Sequence, residues 1–153
     1  MAARGERLRE LGIELPPVAA PAGAYLPARR VGSLVFTAGQ LPIADGRLQA
    51  TGKVGADVST EAAHGLARQC TLNALAAVDA LVGLDAVVGV VKVVGFVASA
   101  PGFTDQPGVV NGASELLGEI FGKAGRHARS AVGVAELPRG APVEIEIVVE
   151  VVG

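Results

Sequence analysis

The chain has 153 residues, half of them apolar, with 13 basic and 15 acidic side chains for a net charge of -2. A length of that order fits one domain that buries roughly 70% of its unfolded surface without staples. A single cysteine, Cys70, excludes an internal disulfide, and two histidines, His64 and His127, offer no metal-ligand spacing, so no structural metal is expected.

The same composition argues against two classes of partner. There is no basic run, and Tyr25 with four phenylalanines is poor equipment for stacking bases or neutralising phosphates, so no nucleic-acid partner is expected. Apolar runs are broken by Gly, Lys or Glu well short of the ~18 residues a membrane span needs, so no membrane is expected either. The opening stretch, MAARGERLRELGIELPP, mixes Arg with Glu and lacks the apolar core of a secretory signal, which sets the expectation of a cytoplasmic location.

In chain order, a short amphipathic helix is predicted from about Glu6 to Leu11, followed by an extended segment through Pro16 and Pro17 to Pro21. Residues 1–24 thus read as an N-terminal arm and 25–153 as the domain proper. From Val31 the pattern is β, with the apolar run Leu34 to Thr37 and a hairpin signal at Asp45-Gly46. Gly52-Lys53-Val54-Gly55 resembles a phosphate loop only superficially, because the following helix starts too late.

Ser59 or Thr60 caps a predicted helix that ends at Gly83, with a stripe of Leu66, Cys70, Ala74, Ala77 and Leu81. Cys70 in that stripe reads as a small core residue, and His64 as a surface group. Val87 to Val97 is almost continuously apolar and β-branched, which predicts a central strand covered on both faces. Val109, Val110, Ala113, Leu117, Ile120 and Phe121 form a second helical stripe that ends near Gly122 and Gly125. Finally, HARSAVGVAELPRGAPVEIE reads as two strands joined by a turn at Leu137-Pro138-Arg139-Gly140. This predicted hairpin would bring Arg129 and Glu144 from one unit, and His127 reads as structural at the strand entrance. Along the last strand Val143, Ile145, Ile147, Val149 and Val151 alternate with Glu144, Glu146, Val148, Glu150 and Val152. The sum is an α+β arrangement with two helices covering one face of a single mixed sheet. The other face is left open and partly apolar, a surface suited to homo-oligomer burial.

From about Tyr25 to the C-terminus the chain resembles the Rid family of reactive-intermediate deaminases, also called YjgF-like proteins and sometimes labelled L-PSP endoribonucleases. The resemblance is carried by Ala-Gly-Gln in VFTAGQLP, Asn73, VVKVVGFV, Asn111 in VVNGASELLGEIFG, and above all ARSAVGVAELPRGAPVEIE. It implies a chorismate-mutase-like fold of the bacillary type, a homotrimer with clefts between subunits, and cofactor-independent hydrolysis of 2-imino or 2-enamino acids to 2-oxo acids and ammonia. It also implies catalytic roles for Arg129, which grips the substrate carboxylate, and Glu144, which handles water. Tyr25, Gly39, Phe96, Asn111 and Ala131 fall at substrate-binding or wall positions. Two departures stand out: Ala38 where many members have serine, and Ala131 where many have cysteine. They motivate an alternative, a trimeric sensor or carrier that binds a small carboxylate without turnover. A third reading, endoribonuclease, follows from the family's label alone.

Overall fold

A computed structural model describes residues 4–21 and 23–153; residues 1–3 and 22 of the expected arm lie outside the described set. The chain opens with helix α1, Arg4–Glu10, two residues earlier than expected at its start. Strands β1, Ala28–Val31, and β2, Leu34–Thr37, come next, followed by the small ribbon of β3, Ile43–Ala44, and β4, Arg47–Leu48. Asp45 and Gly46 both have positive φ, 54° and 73°, as the predicted two-residue turn requires.

Helix α2 runs Thr60–Val82, with the Ser59 side chain accepting from the Ala62 N–H and Gly83 closing the other end. Strand β5 is Val87–Ala98, helix α3 is Gln106–Phe121 with Asp105 at its cap, and strands β6, Ala128–Val134, and β7, Val143–Val151, complete the chain. Five strands form one mixed sheet in the order β1-β2-β7-β5-β6, parallel only between β5 and β6. Helices α2 and α3 pack together on one face, α2 over β7 and α3 over β5 and β6. At Gly112 any Cβ would strike the His64 carbonyl of α2, so glycine is what lets the two helices approach this closely.

The core lies between helices and sheet. Leu75, Leu116, Leu117, Ile145 and Val93 are fully enclosed there, each contributing about 1.5–3 kcal/mol by leaving water. The arm is docked on it: Leu8 is buried, and the Arg4 guanidinium stacks 4.9 Å from the Phe121 ring centre.

Three expectations need correction. The last two strands are not a hairpin, because β5 is inserted between β6 and β7 and pairs with both. Strand β5 is interior, but β7 holds the middle of the sheet, and one face of β5 is uncovered, with Val88 and Val91 exposed. Leu81 is also exposed; small residues, Ala63, Ala67, Cys70, Ala74 and Ala77, make the buried stripe of α2.

Candidate functional site

Pairing across the sheet decides where each predicted site residue points. Arg129 on β6 lies beside Val93, a fully buried residue on the helix-covered face, and Ala131 beside Gly95 on that same face. Glu144 on β7 lies beside Phe96, between Val143 and Ile145, which are buried under the helices. Alternation therefore turns Glu144 and Phe96 to the open face. Two intervening strand spacings separate β6 from β7, about 10 Å. Within one chain, then, Arg129 and Glu144 face opposite sides of the sheet, and the seven predicted residues fall into two groups.

The first group surrounds the guanidinium. Arg129 Nη1 donates to Asn111 Oδ1 at 2.8 Å and to Ser114 Oγ at 3.1 Å, both on α3. Asn111 and Ser114 share a helix face because they are three residues apart. His127 continues the chain of bonds, with Nδ1 at 2.6 Å from the Gly125 carbonyl and Nε2 at 2.9 Å from Ser114 Oγ. A carbonyl can only accept, so Nδ1 carries the proton, and in the neutral ring Nε2 accepts from the Ser114 hydroxyl. Every acceptor around Arg129 is neutral, and among the described residues it makes no ion pair. A shallow groove of about 360 Å³ opens beside it, lined also by Gly118, Gly125 and Arg126. His127 thus does more than shape the strand entrance: through Ser114 it fixes the cation's support.

The second group surrounds the carboxylate. Glu144, Gly39, Tyr25 and Ala38 line a cavity of about 410 Å³, with Arg139 at its rim and Ala20 and Pro21 of the arm on its wall. A Cβ at position 39 would fall on the Glu144 carboxylate, so glycine there is a spatial requirement. The segment carrying Gly39 is pinned on both sides. Gln40 exchanges backbone bonds with Ile145, and buried Asn73 donates to the Leu41 and Ile43 carbonyls at 3.0 and 2.9 Å. Burial and, secondly, the neighbouring Glu146 carboxylate raise the Glu144 pKa above the ordinary glutamate range. The group is therefore easier to protonate than a solvated carboxylate.

Other candidates resolve simply. Cys70 is fully buried, its thiol held protonated by burial and by the field of Glu144, as fits the core role expected of it. His64 is half-buried and lies 3.3 Å from Glu115. The apparent phosphate loop is closed by its own acids: the Lys53 N–H donates to Asp57, and Lys53 Nζ pairs with Glu136 at 2.7 Å. Among the described residues there is no cluster of metal-binding side chains, and no helix is long and apolar enough to cross a membrane.

Sequence reasoning missed Ser114, Arg126, Arg139 and the role of His127. A usable signal existed for Ser114 alone, through its three-residue spacing from Asn111.

Comparisons with known proteins agree with this architecture. The model of the family described as "YjgF/chorismate_mutase-like, putative endoribonuclease" matches residues 5–147. "Protein TCP17" of Trypanosoma cruzi is 45% identical over 145 residues, 94% of this chain and 91% of that protein. The crystal structure of Atu1372 from Agrobacterium tumefaciens, a protein of unknown function, superposes with a TM-score of 0.87 at 43% identity, covering 97% of this chain and 92% of the other. Escherichia coli TdcF, crystallised with bound serine, superposes with a TM-score of 0.62 at 26% identity over 91% of this chain and 94% of its own. With an α+β sheet, two covering helices and a family match over nearly its whole length, the chain belongs to the YjgF/chorismate mutase-like family.

Proposed function

We propose that the protein is a hydrolytic deaminase of 2-imino and 2-enamino acids, acting as a homotrimer in which Arg129 of one copy and Glu144 of another complete each site. The observation that carries this reading is the guanidinium of Arg129, oriented by two neutral oxygens and paired with no acid among the described residues. A planar guanidinium so held is ready to make two parallel bonds to a ligand carboxylate. TdcF, with serine bound, is a relative that holds a small amino acid.

Assembly is required because the two charged groups of one chain point away from each other. The open face supports it: Phe36, Val132 and Val31 are exposed apolar side chains there, a surface that a second copy would cover. In the assembled cleft the Arg129 guanidinium orients the acid group, and Glu144 takes a proton as water oxygen bonds to the C=N carbon. That proton is delivered to nitrogen to give the carbinolamine, and the hydroxyl proton of the adduct then passes through Glu144 to nitrogen as the C=O bond forms and the C–N bond breaks, giving a 2-oxo acid and ammonia. The raised pKa of Glu144 suits a group that must both accept and return that proton. Imine hydrolysis is intrinsically easy, so positioning supplies much of the advantage.

Freshly generated 2-iminopropanoate is the test substrate. Ammonia release is expected to be accelerated by the wild type and lost by more than about a hundredfold in Arg129→Ala. Equal rates without protein, with wild type and with the variant would remove the deaminase reading.

A carrier that binds a small carboxylate without turnover is favoured by one observation: Ala38, on the wall of the Glu144 cavity, brings no hydroxyl to hold water. Calorimetry with pyruvate and 2-oxobutanoate separates the two, since tight binding without ammonia release selects the carrier. Ribonuclease activity rests on the family's label, and an oligoribonucleotide cleavage assay tests it.

A further inference from the structure

The net charge of the chain is -2, yet its groove beside Arg129 is lined by Ser114, Gly118, Gly125, Arg126, His127 and Arg129, without one acid. The acids of α3 that lie nearest in sequence are engaged elsewhere, on the side toward α2. Glu115 sits 3.3 Å from His64 and Glu119 3.6 Å from Arg68. Arg126 is uncommitted: its backbone N–H donates to the Lys123 carbonyl, but its guanidinium has neither hydrogen bond nor ion pair among the described residues. Gly118 adds no side chain to the groove, and the space a Cβ would enter there is empty to 4 Å.

A ligand with a single acid group would engage Arg129 alone and leave the exposed Arg126 to water, whereas a second acid group could engage both cations. Both arginines line one groove of about 360 Å³, which has room for a single small diacid between them. We infer that the groove selects ligands with two acid groups: a 2-imino acid whose side chain itself ends in a carboxylate, with Arg129 on the 2-carboxylate and Arg126 on the distal one. This inference rests on Arg129 as the carboxylate anchor and adds the substrate class. The reaction is unchanged: water oxygen replaces nitrogen at the C=N carbon, ammonia leaves, and the product is a 2-oxo diacid. Arg126 is thereby a specificity residue that touches the ligand away from the reacting carbon.

Calorimetry with 2-oxoglutarate and 2-oxobutanoate as product probes tests it. Wild type is expected to bind 2-oxoglutarate about tenfold more tightly than 2-oxobutanoate, the worth of one charge-assisted hydrogen bond partly open to water. Arg126→Ala, a surface change that removes no core contact, should collapse that ratio to near one, and Arg126→Lys should restore part of it. Equal affinities in wild type, or a ratio indifferent to Arg126, would overturn the diacid inference and leave the anchor standing if both acids need Arg129. Failure of both acids to bind wild type would overturn inference and anchor together. Tighter binding of a single-stranded oligoribonucleotide, lost in Arg126→Ala, would assign the groove to phosphates and overturn the inference as well.

Discussion

The groove at Arg129 and the cavity at Glu144 belong to one sheet, but they treat charge in opposite ways. At Arg129 the cation is stabilised by neutral oxygens of Asn111 and Ser114, and its charge is left available. At Glu144 the carboxylate is crowded against Gly39, half removed from water and beside a second carboxylate, Glu146, so its charge is discouraged. One region is arranged to attract an anion, the other to take up a proton. Under the proposed function the first supplies binding and the second proton transfer, a division that can be broken one side at a time.

Among variants that keep Arg129, the largest effect is expected from Glu144→Gln. Turnover of 2-iminopropanoate should fall about a hundredfold, the low end of what a general base contributes, while pyruvate affinity measured by calorimetry stays within about twofold. A parallel loss of affinity would merge the two regions into one binding function. Next is the double change Asn111→Ala with Ser114→Ala, which keeps Arg129 but removes the oxygens that aim it. Pyruvate affinity should drop about tenfold, as expected for lost hydrogen bonds to a charged donor in a partly exposed site. An unchanged affinity would show that Arg129 needs no cradle.

The smallest effect concerns stability. Because the folded-state pKa of Glu144 is raised, the folded chain binds more protons than the unfolded chain between the ordinary glutamate pKa and the raised one. Its contribution is therefore lost as pH rises through that window. Urea unfolding across mildly acidic pH should show this downward slope weakened in Glu144→Gln. A steeper slope in the variant would contradict the direction of the shift.

How much of this was legible in the residues differs by feature. Helix α2 was readable because its signals are local: Ser59 caps one end and Gly83 closes the other. The ribbon at Asp45-Gly46 was readable for the same reason, both residues tolerating positive φ. The relation between β6 and β7 was not. Leu137-Pro138-Arg139-Gly140 does turn the chain, with Arg139 at φ 61°, but a turn says only that direction reverses, not which strand becomes the neighbour. That choice is made by β5, whose apolar length fits the gap between them, and such long-range pairing leaves no mark on local spacing. Strand β5 misled in a related way, since unbroken apolarity suggests cover on both faces while one face is bare in the chain itself.

For the site, Arg129 and Glu144 and the neighbours Asn111, Gly39 and Tyr25 could be named from the residues, while Ser114 and Arg126 could not. Arg129 and Glu144 stood out by motif, whereas Ser114 and His127 acquire meaning only when α3 lies over β6. Arg126 was hidden more thoroughly, because one exposed arginine among thirteen basic residues looks like solubilising surface until the acids around it are seen to be engaged elsewhere.

The placement of Arg129 and Glu144 on opposite sides of a single sheet has a genetic corollary. If copies assemble as proposed, each one carries two half-sites that it lends in different directions. A copy damaged at position 129 still donates a sound carboxylate to one neighbour, and a copy damaged at 144 still donates a sound guanidinium. Mixed assemblies of the two lesions therefore regain some intact clefts, while a lesion that prevents docking spoils both at once.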